Sequence, residues 1–216
     1  MKIKVCGLRD EHNIRQLMEA VHPDYTGFIF YEASPRYAGE KLDPLFLRRL
    51  KGSFRKTGVF VDAPLERARR VCGEYELNAV QLHGQESPEY CGRLQGMDLQ
   101  VIKTFHLTES FNFHMLEDYA PVCDLFLFDT RGSHPGGNGV HFNWALLDHY
   151  HLSVPFLLSG GLSESDAKAI SAIRHPALAG VDINSRFERQ PGYKDVKSIQ
   201  LFVNQLNKYV HGNKNL

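Results

Sequence analysis

The sequence has no long hydrophobic segment and no excess of charge of either sign. Its longest apolar runs, such as DLFLF and VPFLL, are a few residues long, far short of the roughly 20 residues that a membrane-spanning helix needs. With 25 basic and 25 acidic side chains among 216 residues, the formal net charge is zero, which argues against binding to nucleic acid or anionic lipid. We therefore expect a protein without nucleic-acid or membrane partners.

The sequence also lacks an export signal and a metal-binding motif. The first residues, MKIKVCGLRD, contain no apolar core of the length that a secretory signal requires. The four cysteines lie far apart without a C-x-x-C pair, and His149 and His151 have no neighbouring ligands at a recognisable spacing. We expect a cytoplasmic protein with reduced thiols and no metal.

What the chain does contain is a regular alternation of short β-rich apolar stretches and segments of helical periodicity. IKVC followed by DEHNIRQLMEAV is the first such unit, LAGVDI followed by DVKSIQLFVNQLNKYV is the last, and there are eight in all. Strands joined by helices run parallel, so eight units in a chain of this length predict an α/β fold, the (β/α)8 TIM barrel with outer helices.

The alternation is uninterrupted by a linker, which predicts one domain over residues 1–210 and a frayed tail over 211–216. An open doubly wound sheet is the alternative architecture. That fold needs a glycine-rich dinucleotide loop after its first strand, and CGLRD is not such a loop.

Polar or small residues follow the predicted strands at the end where a barrel of this type carries its chemistry. Cys6 closes strand one, His83 strand four, Asp129 strand six and Asp182 strand eight. Gly7 allows the turn after the first strand. A single mouth with titratable side chains is therefore expected.

The last two strand ends indicate a phosphate site. Gly160 and Gly161 follow strand seven, and Asn184 and Ser185 follow strand eight. The loops after these two strands commonly bind phosphate in this fold through backbone amides and a helix N-terminus. A phosphorylated small-molecule substrate is predicted, although the glycines by themselves are equally explained by a tight turn.

Several motifs at the strand ends occur together: KVCGLRD, GFIFYEASPRYAG, NAVQLHG, LFDT followed by GGNG, LLSGGL, and VDINSRFE followed by GYKD. By these motifs the sequence resembles the phosphoribosylanthranilate isomerases over essentially its whole length. The resemblance implies an enzyme of tryptophan biosynthesis, an intramolecular oxidoreductase of the ketol-isomerase type. It would convert N-(5'-phosphoribosyl)anthranilate to 1-(2-carboxyphenylamino)-1-deoxyribulose 5-phosphate by an Amadori rearrangement, without a cofactor or metal.

The resemblance also implies residue roles. Cys6 is the expected general base and Asp129 the expected general acid. Lys4 lies two residues before Cys6, hence on the same face of the strand, and is expected to assist a thiol whose pKa is near or below the usual value of roughly 8.5. Arg36, in the loop SPRY, is expected to pair with the anthranilate carboxylate through two parallel hydrogen bonds.

His83 and Asp182 are further pocket candidates, and the loop PGGNG, with Gly136 and Gly137, is expected to form a lid over the substrate. Without the resemblance, these candidates have simpler interpretations. The cysteine would be a buried apolar side chain, the aspartate would cap a turn, the arginine would be a surface charge, the histidine would be structural, and the loop would have no role. One departure concerns the loop after strand eight, which reads SRFE where the family more usually has SGVE. Arg186 therefore stands at a glycine position of the phosphate loop.

Two other functions stay open at this point. One is a related phosphosugar barrel, either an epimerase or an indole-glycerol-phosphate-forming synthase, although a synthase calls for more strand-end lysines than Lys4 and Lys103. The other is a non-catalytic barrel that binds a phosphorylated ligand or a protein partner, which would not need a base and an acid together. No helix stands out as an apolar interface, so we expect a monomer, with a homodimer as the alternative.

Overall fold

Eight parallel strands close into a barrel in the order in which they occur along the chain. The computed structural model of the protein describes residues 1–129 and 144–212. The barrel strands are β1 Lys2–Val5, β2 Tyr25–Ile29, β3 Arg55–Phe60, β4 Ala79–Leu82, β5 Gln100–His106, β6 Leu125–Asp129, β7 Phe156–Ser159 and β8 Leu178–Ile183. The predicted (β/α)8 fold is confirmed, whereas the predicted lid glycines Gly136 and Gly137 lie outside the described residues.

The outer layer consists of helices that begin at recognisable caps. Its α-helices in the described part are α1 Glu11–Val21, α2 Pro44–Arg49, α3 Leu65–Glu74, α4 Pro88–Gln95, α5 Ala167–Ala172 and α6 Val196–Gly212. The Asp10 carboxylate accepts a hydrogen bond from the backbone N–H of Asn13 at 2.8 Å, which satisfies a donor that the first turn of α1 leaves unpaired. None of the described helices is long and apolar enough to cross a membrane.

At two places the outer layer differs from the expectation. The segments predicted as helices after β5 and β6 form short 3₁₀ helices, Phe113–Leu116 and Trp144–His149. In the first of these segments, the ring of Phe111 packs against Phe105 at 6.2 Å and the ring of Phe113 against Phe128 at 6.3 Å. Side chains two residues apart do not share a face of an α-helix, so packing both rings inward requires another conformation.

A small apolar layer fills the inside of the barrel, and a larger core lies between strands and helices. The inner layer consists of Tyr25, Ile102, Leu125, Leu127 and Leu157. Successive side chains of a strand point to opposite faces of the sheet. A residue two or four positions along the same strand from a member of this layer therefore also faces inward.

Three side chains continue these inward rows toward the carboxyl ends of the strands. His106 lies four residues after Ile102 on β5, and Asp129 lies two after Leu127 on β6. Cys6 directly follows β1 and faces the inward-pointing position of Gly27. The polar mouth of the barrel therefore stands directly above its apolar filling.

A small hairpin follows the barrel and was not predicted. After a 3₁₀ turn at Ser185–Phe187, strands β9 Glu188–Gln190 and β10 Tyr193–Lys194 pair antiparallel. The backbone N–H of Lys194 donates to Asn13 Oδ1 at 2.7 Å, and Asn13 Nδ2 donates to the Lys194 carbonyl at 2.9 Å. Helix α6 extends to Gly212, past the predicted boundary at residue 210, while residues 213–216 lie outside the described part.

Candidate active site

Cys6 is buried at the mouth of the barrel, against the backbone of the neighbouring strand. A Cβ atom placed on Gly27 of β2 would lie only 2.8 Å from Cys6 Sγ and 3.0 Å from Cys6 Cα. Any side chain at position 27 would therefore displace the thiol. This glycine belongs to the motif GFIFYEASPRYAG, but its role in making room for Cys6 becomes visible only in the folded barrel.

Lys4 and Asp182 form a buried ion pair across β1 and β8. The two residues are opposite each other in the strand register, and Lys4 Nζ donates to Asp182 Oδ1 at 2.9 Å. Burial alone would lower the pKa of Lys4, but the charges of Asp182 and Cys6 and hydrogen bonds to both residues raise it. The ammonium group therefore remains protonated. It lies beside the Cys6 thiol, on the face of the strand that the spacing of the two residues predicted.

The thiol itself differs from the expectation. Burial raises the pKa of Cys6 above its ordinary value, and the nearby charges of Lys4 and Lys194 lower it by less. The expectation of a thiol pKa near or below the usual value is therefore wrong for the substrate-free protein. The physical reason is the loss of hydration, which together with the charge of Asp182 penalises the thiolate more than Lys4 and Lys194 stabilise it.

Asp129 lies on the other side of the mouth, where its side chain is 3% exposed. Two imidazoles approach the same carboxylate oxygen: His106 Nδ1 lies 3.6 Å and His83 Nε2 lies 3.9 Å from Asp129 Oδ2. The Gln81 side-chain amide lies 3.0 Å from His83 Nδ1 and orients that ring. The sequence did not predict His106 as a site residue. It nevertheless closes β5 with an inward-facing side chain, in the same way as the predicted candidates close their strands.

Arg36 pairs with a protein carboxylate, that of Glu188, whereas its predicted pairing with the anthranilate carboxylate stays a prediction. Its Nε and Nη2 donate to Glu188 Oε2 at 2.9 and 2.7 Å. Lys194 Nζ donates to Glu188 Oε1 at 2.7 Å and to Asn184 Oδ1 at 2.8 Å. Glu188 and Lys194 were both missed as site residues, although the VDINSRFE and GYKD motifs contain them.

The Glu188 carboxylate is ionised by this arrangement. Burial alone would raise the pKa of Glu188, but the hydrogen bond from Arg36 and the charge and hydrogen bond of Lys194 lower it below its ordinary value. The side chains of Glu188 and Lys194 are both buried, at 3% and 0% exposure. One anion is thus matched to two cations at the end of β8.

The predicted phosphate loops lie side by side after β7 and β8. Gly160 and Gly161 have φ angles of 109° and 71°, which favour glycine, and a Cβ on Gly161 would meet no other atom within 4 Å. Asn184 precedes the 3₁₀ turn that starts at Ser185. A backbone that borders open space next to a short helical turn is suited to an anion, as expected for this fold.

The loop that departs from the family pattern is anchored by the side chain of Phe187. Phe187 is buried and packs against Phe202 of α6, with ring centroids 5.2 Å apart. Arg186 is exposed. Gly7, with a φ of 77°, allows close approach of this loop, because a Cβ there would lie 2.6 Å from Asn184 Oδ1 and 2.7 Å from Arg36 Cδ.

The second strand lysine, Lys103, does not belong to this mouth. It follows the inward-facing Ile102 and therefore points to the outer layer, where its ammonium group lies 5.4 Å from the ring centre of Phe105. Lys103 Nζ donates to the carbonyl of Gly84 at 2.8 Å and lies 3.3 Å from the Glu86 carboxylate. Lys103 is therefore not the strand-end lysine that a synthase would use, and Lys4 and Lys194, which do lie at the mouth, are each ion-paired with a carboxylate.

Comparisons with known proteins identify the family of the chain. The family model described as N-(5'-phosphoribosyl)anthranilate isomerase matches residues 3–205. A relative of that name from Parabacteroides distasonis is 40% identical over 217 residues, which cover 95% of this chain and 93% of the relative.

Solved structures give the same result. A crystal structure of phosphoribosyl anthranilate isomerase in complex with reduced 1-(o-carboxyphenylamino)-1-deoxyribulose 5-phosphate has a TM-score of 0.76 and 28% identity, covering 98% of this chain and 99% of that one. Mutually generated monomers of the dimeric enzyme from Thermotoga maritima have a TM-score of 0.75 and 28% identity, covering 96% and 98% of the two chains. The chain therefore belongs to the N-(5'-phosphoribosyl)anthranilate isomerase family, whose members are enzymes of tryptophan biosynthesis.

Proposed function

We propose that the chain catalyses the Amadori rearrangement of N-(5'-phosphoribosyl)anthranilate with Cys6 as general base and Asp129 as general acid. The observation that carries this assignment is the placement of the two groups. Both are buried at the same mouth, at the ends of β1 and β6, which stand on different sides of an eight-stranded barrel. A sugar bound between them would present one face to each group.

The proposed reaction needs two proton transfers. Asp129 gives its proton to the ribose ring oxygen, the bond from that oxygen to C1' breaks, and the anilino nitrogen supplies the electron pair that forms a protonated Schiff base. The Cys6 thiolate then removes the proton from C2', and the electrons of that C–H bond form the enolamine. Tautomerisation of the enolamine yields the aminoketone product.

A thiol with a raised pKa can serve as this base because Lys4 stabilises its ionised form. The ammonium group of Lys4 is protonated, is held in place by Asp182 at 2.9 Å and lowers the pKa of the thiol through its charge. Only a small fraction of the thiol is ionised at neutral pH, but a thiolate of higher pKa is also a stronger base. The thiolate fraction should therefore increase as the pH rises above neutral, while Asp129 must keep its proton to act as the acid.

The two anionic groups of the substrate are assigned to the β7, β8 and β2 ends of the mouth. Backbone amides of the loops at Gly160, Gly161, Asn184 and Ser185 are proposed to bind the phosphate. Arg36 is proposed to bind the anthranilate carboxylate, since Glu188 occupies its Nε and Nη2 and orients the guanidinium. Because a guanidinium carries five N–H donors, those of Nη1 remain for the substrate.

The test is the turnover of Cys6→Ser and Asp129→Asn, with phosphoribosylanthranilate generated in situ and its fluorescence followed. Each variant should lose about 10²–10⁴-fold in kcat, the usual contribution of a general acid or base, with unchanged circular dichroism. Cys72→Ala removes a buried thiol of α3 far from the mouth and serves as the control. Full activity of Asp129→Asn, or equal losses in Cys72→Ala and Cys6→Ser, would refute the assignment.

We also propose that the chain acts as a monomer. The large hydrophobic side chains that are exposed in the described part are distributed over several elements rather than forming one face; they are Met1, Tyr31, Leu45, Met97, Met115, Leu201 and Tyr209. Light scattering on the eluting peak of a sizing column gives the mass directly. A mass twice that of the 24.6 kDa chain would contradict the proposal.

A further inference from the structure

Three side chains with metal-binding atoms meet on the β4–β6 side of the mouth. His83 directly follows β4, His106 ends β5 and Asp129 ends β6, so that three consecutive strands contribute one residue each. One ligand atom from each residue lies within 4.8 Å of the ligand atoms of the other two. In the sequence they are more than 20 residues apart, and no local spacing motif reveals them.

The distances are close to those of a metal centre. Zinc binds imidazole nitrogen and carboxylate oxygen at about 2.0–2.2 Å, so that tetrahedral ligand atoms are separated by about 3.4 Å. Asp129 Oδ2 lies 3.6 Å from His106 Nδ1 and 3.9 Å from His83 Nε2. The two imidazole nitrogens lie within 4.8 Å of each other, so the rings would have to approach by up to about 1.4 Å to complete the coordination of a divalent cation.

The ring of His83 is already held by a second residue. Gln81 Nε2 lies 3.0 Å from His83 Nδ1, and the other amide atom, Gln81 Oε1, is buried without a hydrogen-bond partner in the described part of the chain. Rotation of the amide by half a turn would let Gln81 Oε1 accept a hydrogen bond from His83 Nδ1–H and leave a lone pair on Nε2 of His83. Outer partners of this kind commonly orient the histidines of metal centres.

The ligand set and its accessibility point to one class of cation. Two imidazoles and one carboxylate suit zinc and similar transition metals, whereas calcium and magnesium prefer oxygen ligands. The side chains of His106 and His83 are 55% and 30% exposed, which opens a path from solvent, while the carboxylate is buried. The remaining coordination positions would face the mouth.

We propose that His83, His106 and Asp129 bind a divalent transition metal of the zinc type, and that this cation inhibits the isomerase. A metal bound to Asp129 Oδ2 would withdraw the electron pair of the carboxylate and exclude its proton. The inhibitory consequence rests on the proposed role of Asp129 as general acid, whereas the binding itself does not. The bound cation would be a regulatory addition to the mouth and would take no part in the reaction, in which Asp129 acts without a metal.

Binding is tested by titrating the full chain with Co²⁺, whose visible absorption reports the number and type of its ligands. One equivalent should bind, and Zn²⁺ should displace it. His106→Gln should weaken binding by more than the roughly 10–100-fold that loss of an outer partner costs. The control is His114→Gln, because His114 is an exposed histidine paired with Glu117 at 3.0 Å. A sulfur-to-cobalt charge-transfer band, or equal affinity of His106→Gln and wild type, would overturn the site.

Activity measurements separate the two parts of the proposal. Zn²⁺ should inhibit the wild type reversibly, with EDTA restoring turnover, and a higher Zn²⁺ concentration should be needed in His106→Gln. Stoichiometric binding without inhibition would overturn the inhibitory role and speak against Asp129 as the acid, while the site would stand. Failure of binding would overturn the site and leave the assignment of Asp129 untouched. Loss of binding in Asp129→Asn, which keeps the side-chain shape, would support the site independently of His106.

Discussion

The two sides of the barrel mouth hold charge in different ways. Around β8, β1 and β2, oppositely charged side chains are paired at hydrogen-bond distance: Lys4 with Asp182 at 2.9 Å, and Glu188 with both Arg36 and Lys194 at 2.7 Å. Around β4, β5 and β6, the Asp129 carboxylate faces two imidazoles at 3.6 and 3.9 Å. We call these the ion-paired side and the imidazole side.

Because of this difference, the ion-paired side and the imidazole side are suited to different tasks. Buried ion pairs are costly to separate, so the ion-paired side keeps a constant geometry for binding an anionic substrate. Imidazoles are common metal ligands, so the imidazole side can respond to its surroundings. In the proposed function, the substrate anions bind on the first side and a proton is delivered from the second.

The largest effect on this contrast should come from Glu188→Ala, which removes the shared anion of the ion-paired side. Two buried or half-buried cations would lose their partner, and breaking such a buried pair costs about 3–5 kcal/mol of unfolding free energy. Urea denaturation followed by circular dichroism measures the loss. Glu66→Ala is the control, since the Glu66–Arg69 pair at 3.3 Å is exposed and should contribute little. Similar stability losses in both variants would show that the burial of the pair is unimportant.

The next largest effect should come from moving the Cys6 thiol, which lies on the ion-paired side. In Gly27→Ala the new Cβ would lie 2.8 Å from Cys6 Sγ, so the thiol must move. A displacement of about 1 Å at a reacting group can cost up to 10²-fold in rate, and we expect kcat to fall at least about tenfold. Gly73→Ala on α3 is the matched control, because a Cβ there meets nothing within 4 Å and alanine favours the helix. Unchanged kcat in Gly27→Ala would contradict the proposed placement of the base.

A smaller effect is expected on the ionisation of Cys6. Burial raises the pKa of Cys6, so the thiolate fraction should increase as the pH rises from neutral. Lys194 lowers that pKa through its charge, and Lys194→Met should therefore move the rise to higher pH. The pH dependence of thiol alkylation measures this rise, and Cys6→Ser is the control for the other cysteines. Since one pKa unit corresponds to tenfold in thiolate at low ionisation, we expect the thiolate fraction near pH 7 to fall by less than about tenfold. The same alkylation profile in Lys194→Met and the wild type would contradict the effect of Lys194 on Cys6.

The smallest effect concerns stability in acid. The folded pKa of Glu188 is lowered from its ordinary 4.5, so its ionisation contributes stability above about that pH, and the contribution is lost as the pH falls through the folded pKa. Glu188→Gln cannot titrate, and its melting temperature should decline less between neutral pH and pH 3 than that of the wild type. Parallel declines in the two proteins would assign the acid sensitivity to other carboxylates.

Much of the fold could be predicted because its signals are local. Each strand and most helices follow from periodicity over a few residues, and the inward direction of Cys6 follows from its distance to Lys4 along one strand. The 3₁₀ helix at Phe113–Leu116 was predicted as an α-helix. There the packing of Phe111 and Phe113 against the strands outweighed the local pattern, which carries no information on such contacts.

The sequence by itself determined the barrel, the mouth at which its titratable residues lie, and the family motifs that contain them. Only the tertiary structure decided that the carboxylate paired with Arg36 is Glu188, 152 residues away, and that His106 stands beside Asp129. It also decided that burial raises the pKa of Cys6. The physical reason is that distance and hydration depend on which strand ends meet when the barrel closes, and strand periodicity does not encode those meetings.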